Sequence, residues 1–109
     1  MTDLILVLTT VADNERAEPL ADQLVEERLA ACVNLLPSMM SVYRWKGRVE
    51  REVERQLVIK TTRGRLDALR ARLGQLHPYE LPELIVLSVD EGAEAYLDWA
   101  RQAVEEPRG

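Results

Sequence analysis

Ser41-Val42-Tyr43-Arg44-Trp45-Lys46-Gly47-Arg48-Val49-Glu50-Arg51-Glu52-Val53-Glu54-Arg55-Gln56-Leu57-Val58-Ile59-Lys60-Thr61-Thr62 reads as one long β-hairpin. β-formers alternate with polar residues up to Trp45, and Gly47 with Arg48 supplies a turn. The return arm then sets Val49, Val53, Leu57 and Ile59 on one face and Glu50, Glu52, Glu54 and Lys60 on the other. From Val49 to Thr62 that arm is about 45 Å long at about 3.3 Å per residue, whereas a compact domain of this size is about 35 Å across. The hairpin tip therefore overhangs its own globule. A two-stranded ribbon is marginal alone in water, and Tyr43 and Trp45 share one of its faces as large anchors with polar tips. The ribbon is expected to add to a sheet in another copy of the chain, which implies a homo-oligomer.

Outward from the hairpin, Leu4-Ile5-Leu6-Val7-Leu8 followed by Thr9-Thr10 reads as a strand buried on both faces. Asp13 and Asn14 announce a helix, and Ala17, Leu20, Ala21, Leu24, Val25 and Leu29 give an apolar stripe of about four turns, with Pro19 leaving its start irregular. Ala31 to Leu36 is strand-like and bends at Pro37-Ser38. After the hairpin, Leu66, Leu69, Leu73 and Leu76 mark a second helix, with Arg63, Arg65, Arg70 and Arg72 on its other face. Leu84 to Val89 reads as another strand buried on both faces. Ala93, Tyr96, Leu97, Ala100, Ala103 and Val104 form a third helical stripe, and Glu105 to Gly109 is expected to fray. The order β-α-β-β-α-β plus a closing helix predicts a single α+β domain over residues 1–109, a ferredoxin-like split βαβ fold with four antiparallel strands. Both crossover helices lie on one sheet face, so the other face needs cover.

With 47% hydrophobic residues the chain can build a core without staples, and its one cysteine, Cys32, excludes an intrachain disulfide. A net charge of −5 and the absence of a basic cluster argue against nucleic acid. No basic leader and no apolar run of membrane length is present, so a soluble, cytoplasmic protein is expected.

Chemistry clusters in His77-Pro78-Tyr79-Glu80-Leu81-Pro82-Glu83, where two prolines stiffen a loop bearing the only imidazole and two carboxylates. One reading makes His77 a helix-terminal residue facing the last carbonyls; the other makes it a metal ligand or proton acceptor with Glu80 and Glu83 beside it. Cys32 reads as a small buried hydrophobe, or as a thiolate ligand for a soft ion if a second donor faces it. Met39 and Met40 read as core or interface filler. Glu50, Glu52 and Glu54 read as a solvated face, with Arg44, Lys46 and Arg48 across the hairpin to pair with them. No nucleophile, base and orienter set and no phosphate loop is present, so no enzyme is expected.

The chain resembles the CutA-type divalent-cation tolerance proteins in Glu26-Glu27-Arg28-Leu29-Ala30-Ala31-Cys32-Val33-Asn34, Ser41 to Gly47, Ile59-Lys60-Thr61, His77 to Glu83 and Tyr96-Leu97-Asp98-Trp99. The resemblance spans residues 4 to 101. It implies a ferredoxin-like homotrimer with long hairpins paired between subunits and a link to divalent metals, copper above all and zinc next. By the same resemblance Cys32 is the metal-implicated cysteine, and Lys60, Tyr43, Trp45, His77, Tyr79 and Glu83 line an intersubunit cleft. Some members carry further cysteines tied to copper binding, and this chain has none. The architecture also resembles the trimeric PII signalling proteins, which implies small-molecule sensing as a rival function. A purely structural trimer is the third reading.

Overall fold

β4 (Arg48–Thr62) is the axis of the sheet, pairing with three of the other four strands. The computed structural model describes residues 1–106, with β1 at Leu4–Ala12, α1 at Ala17–Glu26, β2 at Cys32–Leu35, β3 at Met39–Trp45, α2 at Leu66–Leu76, β5 at Ile85–Ser88 and α3 at Glu94–Ala103. One edge of β4 pairs antiparallel with β1, from Leu4 opposite Thr62 to Ala12 opposite Glu54. Its other edge takes β2, from Cys32 opposite Lys60 to Leu35 opposite Leu57, and then β3, from Met39 opposite Glu54 to Trp45 opposite Arg48. β5 closes the far side of β1. The sheet is therefore antiparallel throughout, as the split βαβ order requires, but with five strands: Pro37 divides the expected second strand into β2 and β3. Arg55 fills the break, donating from Nε to the Leu36 carbonyl at 2.9 Å and from Nη2 to that of Leu35 at 3.4 Å.

Because β1 ends opposite Glu54, the outer part of β4 pairs with β3 alone and projects as a ribbon. The molecule measures 46 × 30 × 23 Å, the elongation expected from strand length. The ribbon turns at Lys46 (φ 50°) and Gly47 (φ 79°), the two positive φ values of a type I′ hairpin, one residue earlier than the sequence suggests. Arg48 is already paired. Glycine suits the second of those positions and Lys46 occupies the left-handed region without that freedom.

The helix-facing side of the sheet carries Ile5, Val7, Val11, Leu57 and Ile59, packed beneath Ala17, Leu20 and Leu24 of α1 and Leu69 and Leu73 of α2. Pro19 is the third residue of α1, where its missing N–H has no intrahelical acceptor to lose, so the helix begins regularly at Ala17. It is shorter than its stripe: Val25 is exposed, and Leu29 reaches the core from beyond the end. There Arg28 (φ 59°) donates its N–H to Val25 O at 3.0 Å and Leu29 donates to Leu24 O at 3.0 Å, a Schellman stop that returns the apolar residue inward.

α3 lies against the opposite side of the sheet, with Leu97, Ala100 and Val104 on Leu4 and Ala31. It covers only part of that side. β5 is an edge strand whose Ile85 and Leu87 stay nearly half exposed, which corrects the expectation of burial on both faces; Tyr96 likewise leaves the apolar stripe for the surface beside Trp99. Among the described residues no helix is long and apolar enough to cross a membrane. Of the tail expected to fray, residues 107–109 lie outside the described part.

Candidate functional site

α2 stops at His77, whose φ of −74° and ψ of 130° are extended while its N–H still donates to Leu73 O at 2.8 Å. Pro78 enforces that geometry on the residue before it. The imidazole does not turn to the last helical carbonyls. It reaches β1, where Nε2 lies 2.8 Å from Thr10 O, and its Nδ1 accepts the Tyr79 N–H at 3.2 Å. A carbonyl can only accept and an amide N–H can only donate, so the ring is the neutral Nε2–H tautomer with both nitrogens in use. Burial lowers the His77 pKa, outweighing the upward pull of the Thr10 carbonyl and of Glu54.

The sign of the resulting pH dependence follows directly. The unfolded imidazole takes a proton as the pH falls through its ordinary value of 6.5, whereas the folded one resists to a lower pH. His77 thus contributes stability fully present above that value and lost as the pH falls toward the depressed folded value. Denaturant midpoints measured between about pH 8 and pH 5 are expected to fall for the wild type, with a shallower fall for His77→Gln. Equal slopes would remove the neutral latch.

Tyr79 carries the contact onward. Its ring centroid is 4.8 Å from that of His77, and its hydroxyl donates to Glu54 Oε2 at 2.6 Å. Glu54 is only 6% exposed. Burial first, then the hydrogen bond to Glu54, drives the Tyr79 pKa far up; burial also raises that of Tyr43, followed by the charges of Glu52, Glu54 and Glu50. A second tie fixes the proline loop: Gln56 Nε2 donates to Glu83 Oε2 at 2.9 Å and to Thr9 O at 2.7 Å.

Between the ribbon and this loop opens a cleft of about 830 Å³. Ribbon residues Tyr43, Trp45, Glu52 and Glu54 form one wall, and Tyr79, Glu80 and Glu83 the other. No lysine or arginine is among its lining residues. The site residues marked in the sequence thus divide. Tyr43, Trp45, Tyr79, Glu80 and Glu83 meet at the cleft, and His77 braces the loop from beneath. Lys60 lies six residues from Glu54 along β4, about 20 Å away at about 3.3 Å per residue, with its Nζ 5.9 Å from the Tyr96 ring centroid. Cys32 pairs with Lys60 in the sheet, where its sulfur lies 3.7 Å from Asn34 Nδ2.

Within one chain, His77, Glu80, Glu83 and Cys32 do not compose a ligand set, and among the described residues no three His, Cys, Asp or Glu side chains converge as a metal site. The imidazole has no free nitrogen to offer. Glu54, the most deeply placed acid, is absent from the residues that sequence reading favours, because its glutamate run looks like a solvated face. Arg44 does not pair with that run either, since it stands opposite Val49 on the other side of the ribbon. The contact that buries Glu54 joins positions 25 apart, and no local spacing announces it.

A model of the CutA1 divalent ion tolerance protein family matches residues 5–103. The chain is 47% identical over 97 residues to the divalent-cation tolerance protein CutA of Thermus thermophilus, covering 89% of this chain and 94% of that one. It is 44% identical over 99 residues to the protein of the same name from Pectobacterium atrosepticum, covering 91% and 90%. The solved structure of CutA from Xylella fastidiosa superposes with a TM-score of 0.91 at 43% identity, covering 95% of this chain and all of that one. Strand order, ribbon and proline loop agree with what the matched residues report: the chain belongs to the CutA1 divalent ion tolerance family.

Proposed function

We propose that this protein is a cytoplasmic homotrimer that binds divalent cations, copper foremost and zinc next, without catalysing a reaction. The observation that carries the reading is the cleft whose lining includes four carboxylates and no cationic side chain. Glu80 and Glu83 stand on the loop side, where a neighbouring subunit's donors would add to them. Oxygen donors alone favour hard ions, so copper selectivity would rest on nitrogen or sulfur brought from the partner chain. His77 would join only by giving up Thr10 or the Tyr79 amide. Self-association is supported by the exposed apolar surface of the ribbon, with Met40, Val42, Val49 and Val53 each more than half exposed, and by Ile85 and Leu87 on the side of the sheet that α3 covers only in part, together with Tyr96 and Trp99 on α3 itself.

Calorimetric titration of Cu²⁺ and Zn²⁺ tests the site. The double variant Glu80→Gln/Glu83→Gln is expected to bind at least about tenfold more weakly than the wild type, the loss of two charged ligands. Wild-type affinity in that variant would move the ion elsewhere. The size of the cleft favours a second reading, small-molecule sensing, because 830 Å³ lies within the range of sites that enclose organic ligands rather than bare ions.

A further inference from the structure

We infer that the back face of the ribbon, the one turned away from the cleft, docks into the acidic cleft of a second copy of this chain, with Arg44 and Arg51 supplying the cations that the cleft lacks. The inference rests on the self-association proposed above and adds which two surfaces meet.

Residues directly opposite each other in an antiparallel pair share a face, so the register of β3 on β4 divides the ribbon in two. Tyr43 opposite Glu50, Ser41 opposite Glu52 and Met39 opposite Glu54 lie on the cleft side. Arg44 opposite Val49, Val42 opposite Arg51 and Met40 opposite Val53 lie on the back. The back face therefore combines exposed apolar side chains with two exposed arginines and has no acid between them. Among the described residues neither arginine forms an ion pair. The cleft is its complement. Glu52, Glu54, Glu80 and Glu83 line it without a lysine or arginine, beside Leu81 at 70% and Ile85 at 47% exposure. Glu50 and Glu52 have no ion-pair partner in their own chain either, again among the described residues. The two sets of charge cannot meet within one molecule, because the ribbon itself stands between them.

A contact between different surfaces of identical copies is heterologous, and it closes when the copies form a ring. Bearing the two halves back to back on one ribbon meets that requirement: each copy receives a neighbour in its cleft and offers its own back face to the next. Apolar side chains supply the buried area, and opposite charges fix the register by disfavouring arrangements that place like charges together. A foreign anionic partner would cover Arg44 and Arg51 but leave the carboxylates and Leu81 of the cleft unmatched. A second copy matches both.

Charge reversal in the full chain tests the pairing, with assembly followed by light scattering across a dilution series at one ionic strength. Arg44→Glu/Arg51→Glu is expected to weaken association at least about a hundredfold, and Glu50→Arg/Glu52→Arg to do the same. The chain with all four substitutions, whose back face is acidic and whose cleft wall is basic, is expected to return to within about tenfold of the wild type. That recovery is the readout a damaged fold or a loss of apolar area cannot produce, and circular dichroism shows whether each variant is folded. Wild-type association in either double variant, or no recovery in a folded fourfold variant, overturns the inference; the first result would assign the arginine face to a different anionic partner. A wild type that scatters as one chain at every concentration removes self-association itself, whereas one that assembles regardless of the reversals removes only this pairing. Glu80 and Glu83 are unchanged throughout, so the metal titrations remain a separate measurement.

Discussion

Truncating Leu57 to alanine is expected to lower the unfolding free energy by about 2–5 kcal/mol, the range for deleting a buried leucine that leaves a cavity. Leu57 is fully buried and lies where β4 is flanked by Thr9 of β1 and Leu35 of β2, so both neighbouring strands limit collapse around the void. Urea midpoints at one fixed protein concentration measure the effect, since assembly would make stability concentration-dependent. Val25→Ala on α1 is the control: that side chain is 42% exposed and should change stability by no more than about 0.5 kcal/mol. Similar losses for both would mean that the core is not centred on β4.

The second large effect concerns assembly. The wild type is expected to scatter light as three chains, and Val49→Asp/Val53→Asp as one. Both valines sit on the same ribbon face, 61% and 51% exposed in the single chain, and neither supports the core of its own subunit. Folding of the isolated chain should therefore survive, while an interface that covered those positions would have to bury two carboxylates, an uncompensated loss of several kcal/mol. A variant that still runs at the wild-type mass would dissociate the ribbon from oligomerisation, and the intersubunit completion of the cleft would be abandoned with it.

The hairpin, the helices and the ferredoxin-like order were legible because each rests on a short-range pattern. The alternation through β4 and the leucine spacing of α2 state their own periods, and Pro78 states where α2 ends. Less was readable at β5, where an unbroken apolar run suggests two buried faces. The run is real, but on the side of α3 one chain covers the sheet only in part, so Ile85 and Leu87 remain open. Pro37 signalled a bend without saying that the strand would resume on the same edge of β4.

The site divides along the same line. The proline loop was visible as a concentration of functional groups, and Tyr43 and Trp45 as a pair on one ribbon face. What His77 does was not visible, because its partners are a carbonyl 67 positions away and an amide two positions on, and only the folded chain brings them to opposite sides of one ring. Glu54 was hidden by composition. Three alternating glutamates suggest solvent, and the sequence has no sign that the last of them slides under a tyrosine.

Where β1 ends, the ribbon acquires a free flank: from Arg48 to Glu52 the β4 backbone has a strand on one side only. Amides and carbonyls along that flank present a template that recognises backbone before side chain. A synthetic extended peptide of about five residues, capped against continuing the ladder, would then act as a decoy, seating on one subunit and denying the place to the next. Quaternary structure in this architecture would be open to antagonism by a molecule that never approaches the acidic cleft.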